Sequence, residues 1–314
     1  MTENSRRDRV GLGLIGLGPS WEEIYRETLV RLQSRLKVRL VYDPVEGRAR
    51  SVASELGAEV AGSLRQILFR HSLQGLLVLD PGWCGSGILT LVARSGKPVY
   101  LASPVLRNDS ALRTALHGPT KNSHFHPATA DDRLMPELGL RFTPASCRLR
   151  ELIATKLGVA RNILVDCDLR GSLEETALLV DWCNHIMGCM PVIPAQATRD
   201  VSLLTRIELK FPASHSSVPS SPLKTRTAQL RQRSATSTSM RIEIECEHGN
   251  ATLANRTHLI WSTSSHSADE SLADERTEFD ILIDQFCRRA LGGLNPVGRL
   301  SELVTAMDVV KSIW

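Results

Sequence analysis

Gly13-Leu14-Ile15-Gly16-Leu17-Gly18-Pro19-Ser20-Trp21 is the stretch that decides the fold. Val10–Ile15 is apolar and reads as a buried strand, and the glycines behind it mark a tight turn into a helix. A G-x-G-x-x-G pattern can be laid on Gly11, Gly13 and Gly16, but two of those glycines then fall inside the strand. The pattern has physical content only where a strand gives way to a helix. The working register is therefore Gly16, Gly18 and Trp21. In it the first glycine makes the turn, the second lets backbone approach a pyrophosphate, and a third would let the helix pack close to the strand. An indole at the third position must push the helix outward or point into the cleft. Asp43 stands 25 residues past Gly18, at the end of the next strand. A carboxylate there accepts hydrogen bonds from a ribose; before Pro44 it also serves as a turn residue.

Strands and helices alternate outward from this turn. Trp21–Leu36 has helical spacing, with Ile24, Leu29, Leu32 and Leu36 toward one face. Val38–Tyr42 is a strand, Arg48–Leu56 a helix closed by Gly57, and Ser63 caps a helix through Phe69. Leu76–Leu79 and Pro98–Leu101 are short strands on either side of a helix, Ile88–Ser95. The alternation predicts an α/β domain over residues 1–120 with a doubly wound parallel sheet. Ligands of such sheets sit at the carboxyl ends of the strands, here the turns at Gly16–Trp21, Asp43, Asp80–Gly85 and Ala102–Pro104.

Residues 121–314 predict a second, α+β domain. Arg148–Leu157 is a helix ended by Gly158, and Asn162–Leu169 is a strand. Val201–Phe211, Arg241–Cys246 and Asn250–Trp261 follow one another without long helices, so their sheet should be largely antiparallel with an open face. Glu247-His248-Gly249-Asn250 supplies the turn between the last two. Pro212–Ser239 is rich in Ser, Thr, Pro and Arg and is expected to be a mobile loop. Glu278–Leu291 and a second helix capped by Ser301 close the chain.

Composition narrows the function. The net charge of +4 is small and dispersed, which argues against nucleic acid. No apolar run reaches the roughly 18 residues of a membrane span, and Met1–Arg9 is polar and basic with no apolar stretch behind it. The seven cysteines are scattered without a C-x-x-C pair, as expected of reduced thiols in a cytoplasmic protein. His124 and His126 lie in a polar stretch without a carboxylate at defined spacing, so no metal site is expected.

The chain resembles the glucose–fructose oxidoreductase, inositol dehydrogenase and MocA (Gfo/Idh/MocA) family of nicotinamide-dependent oxidoreductases, as a divergent member. The resemblance runs over most of the chain. It is carried by the Gly16/Gly18 turn, Val41-Tyr42-Asp43-Pro44, the run from Ser95 to Pro104, Leu140-Arg141-Phe142-Thr143-Pro144, and the tail from Phe286 to Trp314. It implies a Rossmann-like first domain, a second domain for substrate and dimerisation, and C-terminal helices packed back on the first domain. It also implies a dinucleotide held by Gly16, Gly18, Asp43, Pro81 and Pro104. Asp43 favours NAD over NADP; no cofactor at all is the other outcome. Family members carry Glu-Lys-Pro where this chain has Ala102-Ser103-Pro104, so Ser103 takes the place of the catalytic lysine and supplies no cation. Where they carry Thr-Pro-Asn and a histidine, this chain has Asp80-Pro81-Gly82-Trp83-Cys84-Gly85, which brings a negative charge toward the cofactor.

The third family motif is an Asp-x-x-x-His, an Asp three residues on, and a glycine seven further. Asp181 and His185 fit its first part, but leave two residues before Gly188. Taking Asp181 as the later Asp puts Gly188 in place, and Leu178 and Glu174 then replace the catalytic His and Asp. The second register is favoured because helix length is set by packing. Trp21, Trp83 and Trp182 map near the cleft, where they fill volume or form a platform for a sugar. Three functions follow: a homologue degenerate in catalysis that still binds nucleotide; an active sugar or polyol dehydrogenase using Asp181 and His185; or a non-catalytic subunit that associates, as a homo-oligomer, through the second sheet.

Overall fold

The computed structural model describes residues 9–81, 85, 87–107, 109–117, 131–200, 203–212, 225–233, 240–293 and 298–313. Trp83, Cys84, His124 and His126 lie outside these. The chain divides into two compact units, 1–137 with 279–304, and 138–278 with 305–314.

The first unit is built on six parallel strands: β1 (Val10–Ile15), β2 (Leu36–Tyr42), β3 (Glu59–Val60), β4 (Gly75–Val78), β5 (Val99–Leu101) and β6 (Leu134–Pro136). Their order is β3-β2-β1-β4-β5-β6, and each adjacent pair is parallel. The winding direction reverses between β1 and β4, so the crevice at their carboxyl ends is where such a sheet takes its ligand. β1 and β4 are buried at every residue, as strands covered on both faces must be. The helix Glu278–Ala290 supplies part of that cover: Phe286 stacks edge-on against Tyr100, and Phe279 against Tyr25.

Capping chemistry follows the sequence closely. Gly57 ends the helix Glu46–Leu56 in the left-handed conformation, and the Ser63 side chain accepts from Gln66 N–H at 3.2 Å. The first helix departs from expectation. Trp21–Tyr25 is a π turn, Arg26–Arg31 is α-helical, and Leu36 opens β2 instead of ending a helix. Leu36 pairs with Val10 in the sheet, which overrides its helical spacing. Ser301 lies inside the helix Leu300–Lys311; the carboxylate of Asp131 accepts from its N–H and hydroxyl.

The second unit is an eight-stranded sheet of order β14-β13-β12-β11-β7-β10-β9-β8. Its strands are β7 (Ala160–Cys167), β8 (Val192–Asp200), β9 (Leu203–Phe211), β10 (Arg226–Gln232), β11 (Arg241–Cys246), β12 (Gly249–Asn255), β13 (His258–Thr263) and β14 (Ser267–Ser271). All pairs are antiparallel except β7 with β10. β10 corrects the expectation of a mobile loop over Pro212–Ser239. Ala228 and Leu230 are buried between half-exposed Thr227 and Gln229, a period-2 pattern hidden in polar composition. Residues 213–224 and 234–239 lie outside the described chain. Asn250–Trp261 is likewise two strands, divided at Arg256-Thr257. The buried face carries Ile163, Val165, Ile207, Leu209, Leu230 and Ile242, while the other is polar.

Candidate functional site

The turn after β1 has the backbone that a dinucleotide needs. Gly16 adopts φ +78°, which only glycine takes without strain. A Cβ on it would overlap the backbone of Asp80. Asp43 is buried and fastens the turn: it accepts from Leu17 N–H at 2.7 Å and from Val45 N–H at 2.8 Å. Arg48 closes the bracket by donating to the Leu17 carbonyl at 2.8 Å.

Trp21 is 2% exposed and points into the protein. Its backbone N–H reaches the Gly18 carbonyl at 2.9 Å, and a wide π turn, Trp21–Tyr25, follows. The space over Gly18 belongs to another residue. A Cβ on Gly18 would overlap Asp80 Oδ2 and stand 2.8 Å from Asp80 Cγ. The Asp80 carboxylate therefore occupies the space that a side chain at position 18 would take.

Ser103 and Pro104 begin a 3₁₀ turn after β5. Ser103 Oγ donates to Glu137 Oε1 at 2.6 Å, and its N–H reaches Oε2 at 3.3 Å. Tyr25 and Tyr100 hydroxyls also donate to Glu137 Oε2. Glu137 is buried, and loss of solvation holds its carboxyl above the usual range despite these donors. It was invisible as a site residue because β6 itself gave no sequence signal; a lone charge after Leu134-Met135-Pro136 was the one available clue.

The helix Leu173–Met187 gathers the remaining candidates in the second unit. A capping box at Ser172 and Glu175 starts it, and Gly188 at φ +68° ends it. Asp181, 1% exposed, is gripped by Arg141 through two side-chain bonds, Nε to Oδ2 at 2.7 Å and Nη2 to Oδ1. Trp182 is buried, with Nε1 donating to Ser146 Oγ at 3.0 Å. Leu178 is half-buried. His185 Nε2 is buried with no hydrogen-bond partner among the described residues. Burial, then the charges of Arg141 and Arg150, push its pKa down to about 3. Such a base has little capacity to take a proton at neutral pH.

That depression has a measurable consequence. Below its ordinary value of 6.5 the unfolded chain takes up a proton on His185 and the folded chain does not, until the pH nears 3. The His185 contribution therefore falls as pH drops through this window, by up to about 1.4 kcal/mol per pH unit. Urea unfolding between pH 4 and 7 should show His185→Leu with a shallower acid loss than the parent. Parallel slopes would mean that the ring titrates normally.

The architecture is that of a two-unit dinucleotide-fold protein with a second, open-faced sheet. No protein-family model and no curated protein matches the sequence. Solved structures do match, over nearly the whole chain. Aldose–aldose oxidoreductase from Caulobacter crescentus, complexed with glycerol, has 14% identity and a TM-score of 0.72 over 97% of this chain and 96% of that one. Levoglucosan dehydrogenase, in complex with NADH and levoglucosan, has 12% identity and a TM-score of 0.70 with the same coverage. UDP-N-acetylglucosamine 3-dehydrogenase from Acidithiobacillus ferrooxidans has 16% identity and a TM-score of 0.68 over 97% and 98%. The chain has the fold of the Gfo/Idh/MocA type of oxidoreductase, as its motifs implied.

Proposed function

We propose that this chain is an oxidoreductase homologue degenerate in catalysis that keeps the nucleotide turn of its fold. The observation that carries the reading is Ser103. At the position of the family lysine it offers no cation, and its hydroxyl is engaged at 2.6 Å by buried Glu137. Asp181 is likewise engaged by Arg141, and His185 is too weak a base for the remaining role. A positioned acid or base is worth roughly 10²–10⁴ in rate, so lacking these groups leaves little hydride transfer.

A nicotinamide dinucleotide would supply the hydride chemistry. Gly16 and Gly18 would hold its pyrophosphate side, Pro81 and Pro104 would shape the flanking turns, and Asp43 would favour the ribose diol of NAD over the phosphate of NADP. A small sugar or polyol is the matching ligand class, as the levoglucosan and glycerol of the two neighbours suggest by fold analogy. The cytoplasmic setting expected from the thiols belongs to the same reading.

The test is absorbance at 340 nm with NAD⁺ or NADP⁺ and a panel of sugars and polyols. No turnover is expected. Turnover abolished by His185→Ala in a folded variant would establish the active dehydrogenase instead.

The open face of the second sheet supports association as a second reading. It carries a shallow concavity of about 480 Å³ lined by Asn162, Leu164, Gln229, Glu243 and Thr252 among others. Arg206, Arg231 and Arg241 share this face with Glu208, Glu243 and Glu245, so a two-fold pairing can match opposite charges. Light scattering is expected to give a dimer, weakened by Arg231→Glu; a monomer at all concentrations refutes it.

A further inference from the structure

We infer that Asp80 is a built-in occupant of the phosphate cradle, and that its carboxylate keeps the pyrophosphate of a dinucleotide away from Gly18. The inference rests on the dinucleotide reading of the turn and goes beyond it by naming the residue that limits binding.

Three observations converge. The winding of the first sheet reverses between β1 and β4, which places its ligand crevice at their carboxyl ends. The turn after β1 contributes Gly16 and Gly18 to that crevice, and Asp80 follows β4 directly across from them. The volume that glycine leaves open at position 18 is filled from outside by Asp80 Oδ2 and Cγ. The absent side chain at the second glycine is what allows backbone to approach a pyrophosphate. Here the approaching group is a carboxylate from the same chain. It opposes the ligand twice: it takes the volume, and it sets a negative charge within a few ångströms of two others in a half-buried crevice, where solvent screens poorly.

Trp21 plays no part in this exclusion. Its indole is buried, whereas Asp80 fills the space over Gly18, so the departure at the third glycine and the departure at Asp80 are separate. The first concerns packing and the second concerns ligand charge. The backbone that the ligand would use is otherwise in order, since Asp43 and Arg48 still brace it.

The experiment is a titration with NADH, read by nicotinamide fluorescence, on the full chain and on Asp80→Asn, which removes the charge with almost no change of shape. Asp80→Ser removes volume as well, and serves also if the asparagine variant misfolds. Thermal unfolding checks that each variant is folded. The dissociation constant is expected to fall at least about tenfold in either variant. Inorganic pyrophosphate should then compete with NADH in the variants. Adding Gly18→Val to Asp80→Ser returns carbon to the same space and should abolish the gain. Equal NADH affinity in parent and both variants overturns the role of Asp80 while leaving the dinucleotide reading intact. Undiminished affinity in the Gly18→Val, Asp80→Ser chain also overturns it, because the ligand would then lie elsewhere. Folded variants that bind no NADH at millimolar concentration remove the dinucleotide reading itself, and the inference with it.

Discussion

Replacing Trp21 by glycine is expected to lower the unfolding free energy by about 3–5 kcal/mol, without opening a dinucleotide site. In the sequence, glycine at this position would restore the third member of the turn motif. The side chain is 2% exposed and is among the largest fully buried ones. Trp21 begins the π turn. Removing the indole leaves a cavity that neighbouring residues fill only in part. Trp21→Phe should be much milder. It loses one ring of packing, but it also removes an indole N–H that is buried with no hydrogen-bond partner among the described residues, whose burial already costs stability. Urea denaturation of the two variants decides the matter. A glycine variant as stable as its parent, or one that binds NADH more tightly, would show the indole standing in the ligand path.

The second large effect is expected at Arg141 and Asp181. Removing either partner alone, as Asp181→Leu or Arg141→Met, should cost about 3–5 kcal/mol, because the other charge stays buried and loses this two-bond contact. Both residues are under 10% exposed. Removing both together should cost far less than the sum, since a buried ion pair is often replaceable by apolar groups of similar volume. A double-mutant cycle by chemical denaturation measures the coupling; additive losses would mean that the pair does not act as a unit. The single Arg141→Met change carries a second readout. Arg141 is one of the charges that depress His185, so the imidazole should titrate at higher pH in that variant, as followed by NMR. If Asp181 served chemistry and not structure, its replacement would spare stability.

Local patterns carried much of the architecture. The glycine turn, the alternation of strands with helices, and stop signals such as Gly57, Gly158 and Gly188 are encoded within a few residues. They depend on backbone sterics and short-range periodicity. What failed locally failed for a reason. β10 is made of Thr, Gln and Arg on its open side and looks like a loop until β7 and β9 stand on either side of it. Leu36 has helical spacing, yet pairing with Val10 makes it a strand residue.

The candidate site divides in the same way. The sequence by itself determined which chemical groups are present: Gly16 and Gly18 in the turn, Asp43 after β2, Ser103 after β5. Covalent identity needs no neighbours. Tertiary structure alone decided what those groups face. It turned Trp21 inward, set the Asp80 carboxylate over Gly18, committed Ser103 to a buried Glu137, and locked Asp181 onto Arg141. Each of these depends on residues 34 to 62 positions apart in the chain, apart from the inward turn of Trp21, which depends on the packing around it. No periodicity links such partners, because contact at that separation is created only when the sheet and helices close around a core.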